Sequence, residues 1–369
     1  MNTQVLKNDE KAIFEMRSLY RKYGYSQYKM SKFEEYDLYV RNKDFLVSDN
    51  IITFTDTNGK LMALKPDVTL SIIKNTQEGT GSVHKVYYDE NVYRVSKGTH
   101  SFKEIMQVGL ECIGDIDDYC IYEVIMLAAK SLENISPSFV LDISHMGIVS
   151  SVLDSLSISH DGKKQLIKCI GEKNIHGITS VCADEGIDGE NLKKLVSVYG
   201  SIDEVIPMLD SMGLDKACAD VDQLKTVVSA LEKCGFKDKI RIDFSAISDT
   251  KYYNGFVFKG FIEGISESIL SGGQYDRLMH RVGKNCGAIG FAVYLDMLEF
   301  LTKSESEYDV DAVILYDENQ SLEALTSAVS MLTANGKTVM AQKAVPEKIK
   351  YKQLLKLNER GVEIIENNA

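Results

Sequence analysis

Side chains that could hold an amino group occur in two stretches of the chain. Asp67 and Thr69 stand where a helix is expected to begin after Pro66, and Gln107 and Glu111 share one face of an alternating strand. Carboxylate, amide and hydroxyl oxygens all accept hydrogen bonds from an α-ammonium group. The residues therefore predict a site for a small amine, although a polar strand face that simply meets solvent is the alternative.

A pair of adjacent aromatic residues could supply the wall of the same site. Tyr252 and Tyr253 lie in the stretch ISDTKYYNGFVF, at the mouth of a predicted strand. Two tyrosines there favour a flat slot for a ring, and a nearby carboxylate such as Glu111 suits a polar ring such as imidazole. The spacing alone leaves open whether these parts converge in the fold.

Several common catalytic patterns are absent from the sequence. There is no P-loop, no dinucleotide-binding glycine pattern and no nucleophile elbow. The seven cysteines have no metal-ligand spacing, and the glycine-rich segment 271–276, SGGQYD, is short enough to be a tight turn. We therefore expect no catalytic residues, no metal and no cofactor.

The composition of the chain limits the compartments and the partners that can be expected for it. The chain has 369 residues and a formal net charge of −12, without a Lys/Arg cluster, which argues against tRNA or DNA as the main partner. No apolar run reaches the roughly 18 residues that span a bilayer, and the N-terminus lacks the apolar core of a signal peptide. An odd number of scattered cysteines fits a reducing compartment. We expect a cytoplasmic protein without a membrane partner.

Hydrophobic periodicity predicts a mixed core. The clearest elements are a helix over 8–23, a hairpin of strands 51–55 and 61–64, two strands 85–88 and 91–95, a strand over 104–113 and a helix over 117–133. In the strand 104–113, Met106, Val108, Leu110 and Cys112 should share one face, opposite Gln107 and Glu111. Residues 25–39 are expected to be extended. The hairpins indicate an antiparallel sheet, with strand composition returning over 139–143, 240–244, 252–262 and 288–293.

Two further segments differ from the rest of the chain in composition and in hydrophobic periodicity. Residues 160–236 are polar and helical in period, which predicts a helical insertion. After a polar boundary near 305–308, the pattern is that of a small βαβαβ unit, with strands 312–316, 338–341 and 362–365 and helices 322–335 and 347–358. The expected domains are 1–304, with the insertion at about 160–236, and 309–369.

Five segments, in order, resemble those of the histidyl-tRNA synthetases. They are Phe54–Thr69 (FTDTNGKLMALKPDVT), Val92–Gly114, Lys251–Phe258 (KYYNGFVF), Ser271–Leu278 (SGGQYDRL) and Gly287–Leu298 (GAIGFAVYLDML). They resemble, respectively, a hairpin leading to L-R-P-E-x-T, the class II signature two loop, the histidine-recognition segment, G-G-R-Y-D-x-L and class II signature three. The resemblance covers roughly residues 10–300.

The resemblance implies a fold and a binding site. The fold would be α+β: a class II aminoacyl-tRNA synthetase-like antiparallel sheet flanked by helices, with a helical insertion and a small C-terminal α/β domain. The latter would be a truncated anticodon-binding-like domain. Histidine would be bound by the positions that match the family's pocket, which are Asp67, Thr69, Arg94, Gln107, Glu111, Tyr252 and Tyr253.

The departures from the family lie at its arginines. The synthetases carry an arginine in the histidine-recognition segment, in R-Y-D and in signature three, and the matching residues here are Ser248, Gln274 and Met297, respectively. In the signature two loop, Lys103 replaces a further arginine, and Arg94 is retained. Removing one preorganised donor from such a site typically costs roughly 3–4 kcal/mol of transition-state stabilisation. Aminoacylation is therefore expected to be lost.

A chain that keeps the residues of the histidine pocket but lacks the arginines that hold ATP is similar to the ATP phosphoribosyltransferase regulatory subunits, a paralogous family. That resemblance implies a non-catalytic protein of histidine biosynthesis, with L-histidine as effector, a short-form catalytic subunit as partner, and a homodimer through the class II-type interface within a hetero-oligomer. The subunit would be needed for the catalytic subunit's activity and for feedback inhibition. A diverged histidyl-tRNA synthetase and a synthetase-like amino-acid sensor are the alternatives.

Overall fold

A computed structural model describes residues 7–42, 51–76, 82–96, 100–214, 217–246, 253–301, 308–358 and 361–368. Ser248 and Tyr252 lie outside these ranges. The chain divides into two compact units, Met1–Leu301 and Thr302–Ala369. Each unit has its own sheet and its own apolar core.

The first unit is built on a nine-stranded sheet, and a three-stranded sheet accompanies it. The strands of this unit are β1 Ser26–Gln27, β2 Phe33–Glu35, β3 Thr53–Thr55, β4 Leu61–Leu64, β5 Val83–Val95, β6 Phe102–Gly114, β7 Phe139–His145, β8 Tyr199–Gly200, β9 Ile240–Asp243, β10 Phe256–Ile262, β11 Leu270–Gln274 and β12 Gly287–Tyr294. The large sheet has the order β1-β5-β6-β12-β11-β10-β7-β9-β8. Its pairs are antiparallel apart from β1–β5 and β7–β9, which confirms the expected antiparallel core.

The helices of the first unit flank the sheet and include the expected insertion. They are α1 Asn8–Lys22, α2 Tyr36–Val40, α3 Thr69–Asn75, α4 Asp118–Ile135, α5 Met146–Asp154, α6 His160–Gly171, α7 Ile175–Glu185, α8 Glu190–Ser197, α9 Ile202–Ser211, α10 Cys218–Leu231 and α11 Asp276–Arg281. A π-helical turn, Glu232–Phe236, follows α10, and a 3-10 helix, Leu295–Leu301, follows β12. Helices α6 to α10 confirm the helical character of residues 160–236, which also contribute the short strand β8.

Two apolar cores lie on opposite faces of the large sheet. Alternate residues of β6 divide between them: Val108, Leu110 and Cys112 belong to the larger core, with α1 and α4, and Ile113 belongs to the smaller core, with α3 and α11. The predicted two-faced pattern of residues 104–113 is thereby confirmed. The smaller core lies on the face that carries Gln107 and Glu111, so these polar residues point toward α3 and α11.

Several boundaries differ from the expectation. The strand expected at 252–262 begins at Phe256, so Tyr253 precedes it. The strands expected at 85–88 and 91–95 are one long strand, β5, because β6 pairs with it continuously from Val83 to Val95. Residues 25–39 are not extended throughout, since α2 begins at Tyr36. Helix α3 begins at Thr69 rather than at Pro66, because the Asp67 carboxylate accepts the backbone N–H of Leu70 and so holds the residues before the helix.

The second unit is a four-stranded sheet with one helix. Its elements are β13 Val310–Leu315, α12 Leu322–Ala334, β14 Val339–Gln342, β15 Tyr351–Asn358 and β16 Gly361–Asn367, with the strand order β14-β13-β15-β16. The expected helix over 347–358 is wrong, since Tyr351–Asn358 is a strand that pairs with β13 and β16. Leu354, Leu355 and Leu357 are all buried, and such a run satisfies a buried strand as well as a helix.

Candidate functional site

The candidate site is centred on Glu111, in the middle of β6. Its side chain is buried, and each carboxylate oxygen accepts a hydroxyl hydrogen bond. Thr69 Oγ1 donates to Oε1 at 2.7 Å, and the Tyr275 hydroxyl donates to Oε2 at 2.5 Å. Thr69 is the first residue of α3, and Tyr275 immediately precedes α11, so residues at the N-terminal ends of two helices contact the same residue of β6.

Burial gives Glu111 an unusual protonation equilibrium. Loss of water raises the pKa of its carboxyl to about 8, and the neighbouring charge of Asp67 adds to this, whereas the hydroxyls of Tyr275 and Thr69 oppose it. A buried carboxyl of this kind is stabilised by a proton or by a cationic group that comes close to it. An ammonium or an imidazolium of a ligand would supply that charge.

Asp67 is the second carboxylate of the site. Burial raises the pKa of its carboxyl, and the backbone N–H of Leu70 and the charge of Arg94 oppose the rise. The Arg94 guanidinium donates through Nε to the Pro66 carbonyl at 3.1 Å and hydrogen bonds to Tyr294. Asp67 therefore interacts electrostatically with both the Glu111 carboxyl and the Arg94 guanidinium.

The floor of the site consists of glycines, which leave room for larger neighbours. A Cβ at Gly290 would lie 1.8 Å from Oε2 of Glu111, and a Cβ at Gly273 would lie 2.6 Å from Cδ1 of the Tyr253 ring. The Tyr253 ring thus rests directly on Gly273. Any side chain at either position would displace the carboxylate or the aromatic wall.

The structure brings most of the sequence-predicted residues onto one sheet face. Asp67, Thr69, Glu111 and Tyr253 form one group, in which the charges of Glu111 and Asp67 contribute to a raised pKa of Tyr253. Gln107 is buried on the same face but lies four residues from Glu111, about 13 Å along the strand. It pairs in register with Tyr294, beside Arg94, and so belongs to the other end of the site. Tyr252 lies outside the described residues.

Two tyrosines of the site are not among the sequence-predicted residues. Tyr275 supplies one of the two donors to Glu111, and Tyr88 lies over Gly109, where a Cβ would come 2.5 Å from the Tyr88 hydroxyl. The interpretation of segment 271–276 as a tight turn is wrong, because Leu270–Gln274 is strand β11, which pairs with β10 and β12. A turn-like sequence gives no indication that its tyrosine faces a ligand. Its position directly after a strand and before a short helix is the one available indication.

Three residues that the sequence resemblance aligns with synthetase arginines, Ser248, Gln274 and Met297, have neutral side chains. Gln274 Nε2 donates to Oδ2 of Asp276 at 2.8 Å, and Asp276 also accepts from the Asn254 side chain and the Ala288 backbone. Met297 packs against the larger apolar core. Ser248, the third such position, is outside the described ranges. Among described residues, Gln274 and Met297 therefore bring no positive charge to the site.

The described residues contain neither a membrane-spanning helix nor a cluster of metal ligands. No helix there combines the length and apolarity needed to cross a bilayer. No group of three or more His, Cys, Asp or Glu side chains in those ranges is arranged to hold a metal ion.

Comparison with known sequences relates the chain to a family and to named relatives. The profile of the family described as histidyl-tRNA synthetase matches residues 3–298. An ATP phosphoribosyltransferase regulatory subunit of Oceanobacillus iheyensis is 26% identical over 362 residues, which cover 95% of this chain and 89% of that protein. The protein of the same name from Bacillus cereus strain AH187 is 27% identical over 337 residues, which cover 88% and 80%.

Solved structures share the fold. A protein described as an ATP phosphoribosyltransferase regulatory subunit/histidyl-tRNA synthetase from Bacillus halodurans has a TM-score of 0.73 at 23% identity, covering 95% of this chain and 93% of that one. The histidyl-tRNA synthetase of Nostoc sp. PCC 7120 has a TM-score of 0.71 at 19% identity, covering 95% and 87%. A chain of the Thermotoga maritima ATP phosphoribosyl transferase complex has a TM-score of 0.63 at 19% identity, covering 79% and 98%. The class II-like fold is thereby confirmed, and since the family profile matches well over half of its residues, this chain belongs to the histidyl-tRNA synthetase family.

Proposed function

We propose that this chain is a non-catalytic regulatory subunit of ATP phosphoribosyltransferase in histidine biosynthesis. The observation that carries the proposal is a contrast within one site. The hydroxyls of Thr69 and Tyr275 hold the Glu111 carboxyl in place, whereas Gln274 and Met297 are neutral where a synthetase requires arginines. The relatives named above carry the name regulatory subunit, and this chain matches them over most of their length, which supports the same function.

L-Histidine is the proposed effector, and the site around Glu111 is its proposed binding site. The imidazole would lie against Tyr253 and near Glu111, whose buried carboxyl favours a cationic or hydrogen-donating ring. The α-ammonium group would meet the acceptor oxygens of Asp67 and Gln107, and Tyr252 would complete the aromatic wall. Arg94 lies near Asp67 and would face the α-carboxylate.

Activation of ATP with histidine is proposed to be lost. The transition state of that reaction develops charge on a phosphate, and three of the arginine positions that would stabilise it are Ser248, Gln274 and Met297. Roughly 3–4 kcal/mol for each lost donor leaves little rate enhancement, even when the losses are not additive. The chain's net charge of −12 fits a protein that does not bind tRNA.

A homodimer is proposed as the assembly unit. The ring of Phe33 in β2 meets that of Phe54 in β3 edge-on at 5.4 Å between centroids. These rings and Leu61 are exposed on the sheet β2-β4-β3. Phe54→Glu should shift the protein toward monomer in analytical ultracentrifugation, whereas an unchanged sedimentation coefficient would place the interface elsewhere.

Reconstitution tests the function directly. A short-form ATP phosphoribosyltransferase catalytic subunit is mixed with this chain, and phosphoribosyl-ATP formation is measured with and without L-histidine. The proposal predicts that the chain raises the rate and that histidine lowers it again. A catalytic subunit whose rate is the same with and without this chain would overturn the proposal.

A further inference from the structure

A second polar group lies on the same sheet face, several strands away from Glu111. Lys259 of β10 pairs in register with Asp142 of β7 on one side and with Ser271 of β11 on the other. In the next strand, β9, Arg241 is the register partner of Asp142. Directly paired residues of neighbouring strands point to the same face, so Asp142, Lys259 and Arg241 converge.

Two buried oxygens at this place lack hydrogen-bond partners, whereas the Arg241 guanidinium donates to the Ile240 carbonyl at 2.7 Å. Asp142 is 8% exposed and its Oδ1 has no hydrogen-bond partner; Ser144, two residues along the same face, is fully buried and its Oγ has none either. The half-buried Lys259 ammonium makes no hydrogen bond and no close ion pair with any part of the chain that the structure describes. Buried polar groups are normally paired, so such exceptions call for a ligand or another explanation.

The neighbouring carboxylate of Asp243 has the contacts expected of a structural residue. Asp243 pairs with Lys173 at 2.7 Å through Oδ2, and its Oδ1 accepts from the backbone and the hydroxyl of Ser245 at 2.8 and 2.6 Å. Every oxygen of Asp243 is therefore occupied. Asp142 lies within its electrostatic reach but has no comparable set of contacts, so the same fold that satisfies one carboxylate leaves the other available.

We propose that Asp142 and Lys259, assisted by Ser144 and Arg241, bind the α-ammonium and α-carboxylate groups of a free amino acid. The ammonium would donate to Asp142 and Ser144, and the carboxylate would accept from Lys259 and Arg241. This site is distinct from the pocket at Glu111. Ser144 and Glu111 are connected by a row of paired residues on neighbouring strands, which runs through Val257, Gly273 and Gly290. The row crosses four strand spacings, so the two residues are about 19 Å apart.

Charge favours a zwitterion over a simple ion. Burial raises the pKa of Asp142 to about 6 and lowers the pKa of Lys259, and the opposite charges nearby only partly offset these shifts. A phosphate would meet the carboxylates of Asp142 and Asp243, and a metal cation would meet Lys259 and Arg241. A ligand with one ammonium and one carboxylate compensates both signs at once.

Glycine is the smallest probe of this arrangement. Saturation-transfer NMR is recorded on protein carrying Glu111→Gln, so that the first pocket does not contribute, with glycine at up to about 20 mM, since so small a ligand is expected to bind in the millimolar range. Acetate and ethylamine carry one charged half each and serve as matched probes. We expect saturation with glycine and at least tenfold weaker binding of either half.

Two substitutions locate the binding. Asp142→Asn and Lys259→Met preserve side-chain volume and should each weaken glycine binding at least fivefold, whereas Lys233→Met, at an exposed lysine, should not. Thermal melting checks that the variants are folded, and the Asp142→Asn result stands even if Lys259→Met unfolds. Absence of glycine binding, equal binding of ethylamine or acetate, or the same affinity in Asp142→Asn as in Lys233→Met would overturn the proposal. Because Glu111 is already replaced, none of these outcomes bears on histidine binding at the first pocket.

Discussion

Under the proposed function the site has an amino-acid end, around Glu111, and a nucleotide end, made of the positions that align with synthetase arginines. The two ends differ in how their polar groups are used. At the amino-acid end, Thr69, Glu111 and Tyr275 come from three different elements and make hydrogen bonds that fix one carboxyl. At the nucleotide end, Arg94 and the exposed Lys103 face each other across β5 and β6, while Gln274 is tied to Asp276 and Met297 packs into a core.

This difference teaches which part of a synthetase-like site can survive without catalysis. Binding an amino acid needs a small number of fixed hydrogen-bond partners and an aromatic wall, and these are supplied by a strand and two helix starts. Stabilising charge on a reacting phosphate needs several cations aimed at one point. In the proposed account, this chain retains the first set and has lost part of the second.

The largest expected effect concerns catalysis at the nucleotide end. Histidine-dependent exchange of pyrophosphate into ATP should remain at the background rate, since two or more missing donors at roughly 3–4 kcal/mol each lower the rate by more than about 10,000-fold. An authentic histidyl-tRNA synthetase assayed in parallel is the control. Exchange that rises with histidine would show that the neutral residues do not disable the site.

Substitution at the centre of the amino-acid end should have the next largest effect. Glu111→Gln keeps the shape of the side chain but cannot ionise when a cationic ligand binds, and about 2–3 kcal/mol, or roughly a 100-fold loss of histidine affinity, is expected. Titration calorimetry measures it, with Glu133→Gln at an exposed site of α4 as the matched control. Equal affinities of the two variants would place histidine elsewhere.

Stability should depend on pH through Glu111. The folded protein holds this proton up to about pH 8, whereas the unfolded chain releases it near 4.5, so the folded state binds more protons between these values. The free energy of unfolding therefore falls as pH rises from 5 to 8, by an amount on the order of 2 kcal/mol. Urea unfolding at several pH values measures the slope.

The control for that slope is the variant that cannot titrate. Glu111→Gln should lose much of the decrease between pH 5 and 8, because its amide carries no proton to release, while Glu133→Gln should keep it. Parallel slopes in wild type and Glu111→Gln would mean that the pKa of Glu111 lies close to its ordinary value.

The smallest expected effect comes from one hydroxyl. Tyr275→Phe removes the donor to Oε2 of Glu111, which otherwise lowers the pKa of that carboxyl, and a loss of about 1 kcal/mol, or roughly fivefold in histidine affinity, should follow. Tyr351→Phe removes a comparable phenol–carboxylate bond to Glu366 in the second unit and should leave affinity unchanged. A greater loss from Tyr351→Phe than from Tyr275→Phe would contradict the assignment.

Local patterns in the sequence predict part of this arrangement. The alternation over 104–113 fixes which face of β6 carries Gln107 and Glu111, because a strand has a period of two. The same local reasoning fails at 351–358, where leucines on both faces fit a helix as well as a buried strand, and pairing with β13 decides the outcome.

The contacts across the site depend on tertiary structure and are not encoded in any short segment. Tyr275 and Glu111 are 164 residues apart, so nothing local to either one indicates that they share a hydrogen bond. The missing partners of Asp142 and Ser144 likewise emerge only once β7, β9 and β10 lie side by side. Residue type predicts which chemistry is available, and the fold decides which residues meet.

Histidine inhibition of a reconstituted complex that carries Glu111→Gln tests the central claim most directly. The short catalytic subunit is combined with wild-type chain or with this variant, and phosphoribosyl-ATP formation is titrated with L-histidine. The account predicts that both chains activate the catalytic subunit and that inhibition by histidine requires a roughly 100-fold higher concentration with the variant. Activation by the variant together with an unchanged inhibition curve would contradict the claim that the Glu111 pocket is the histidine sensor.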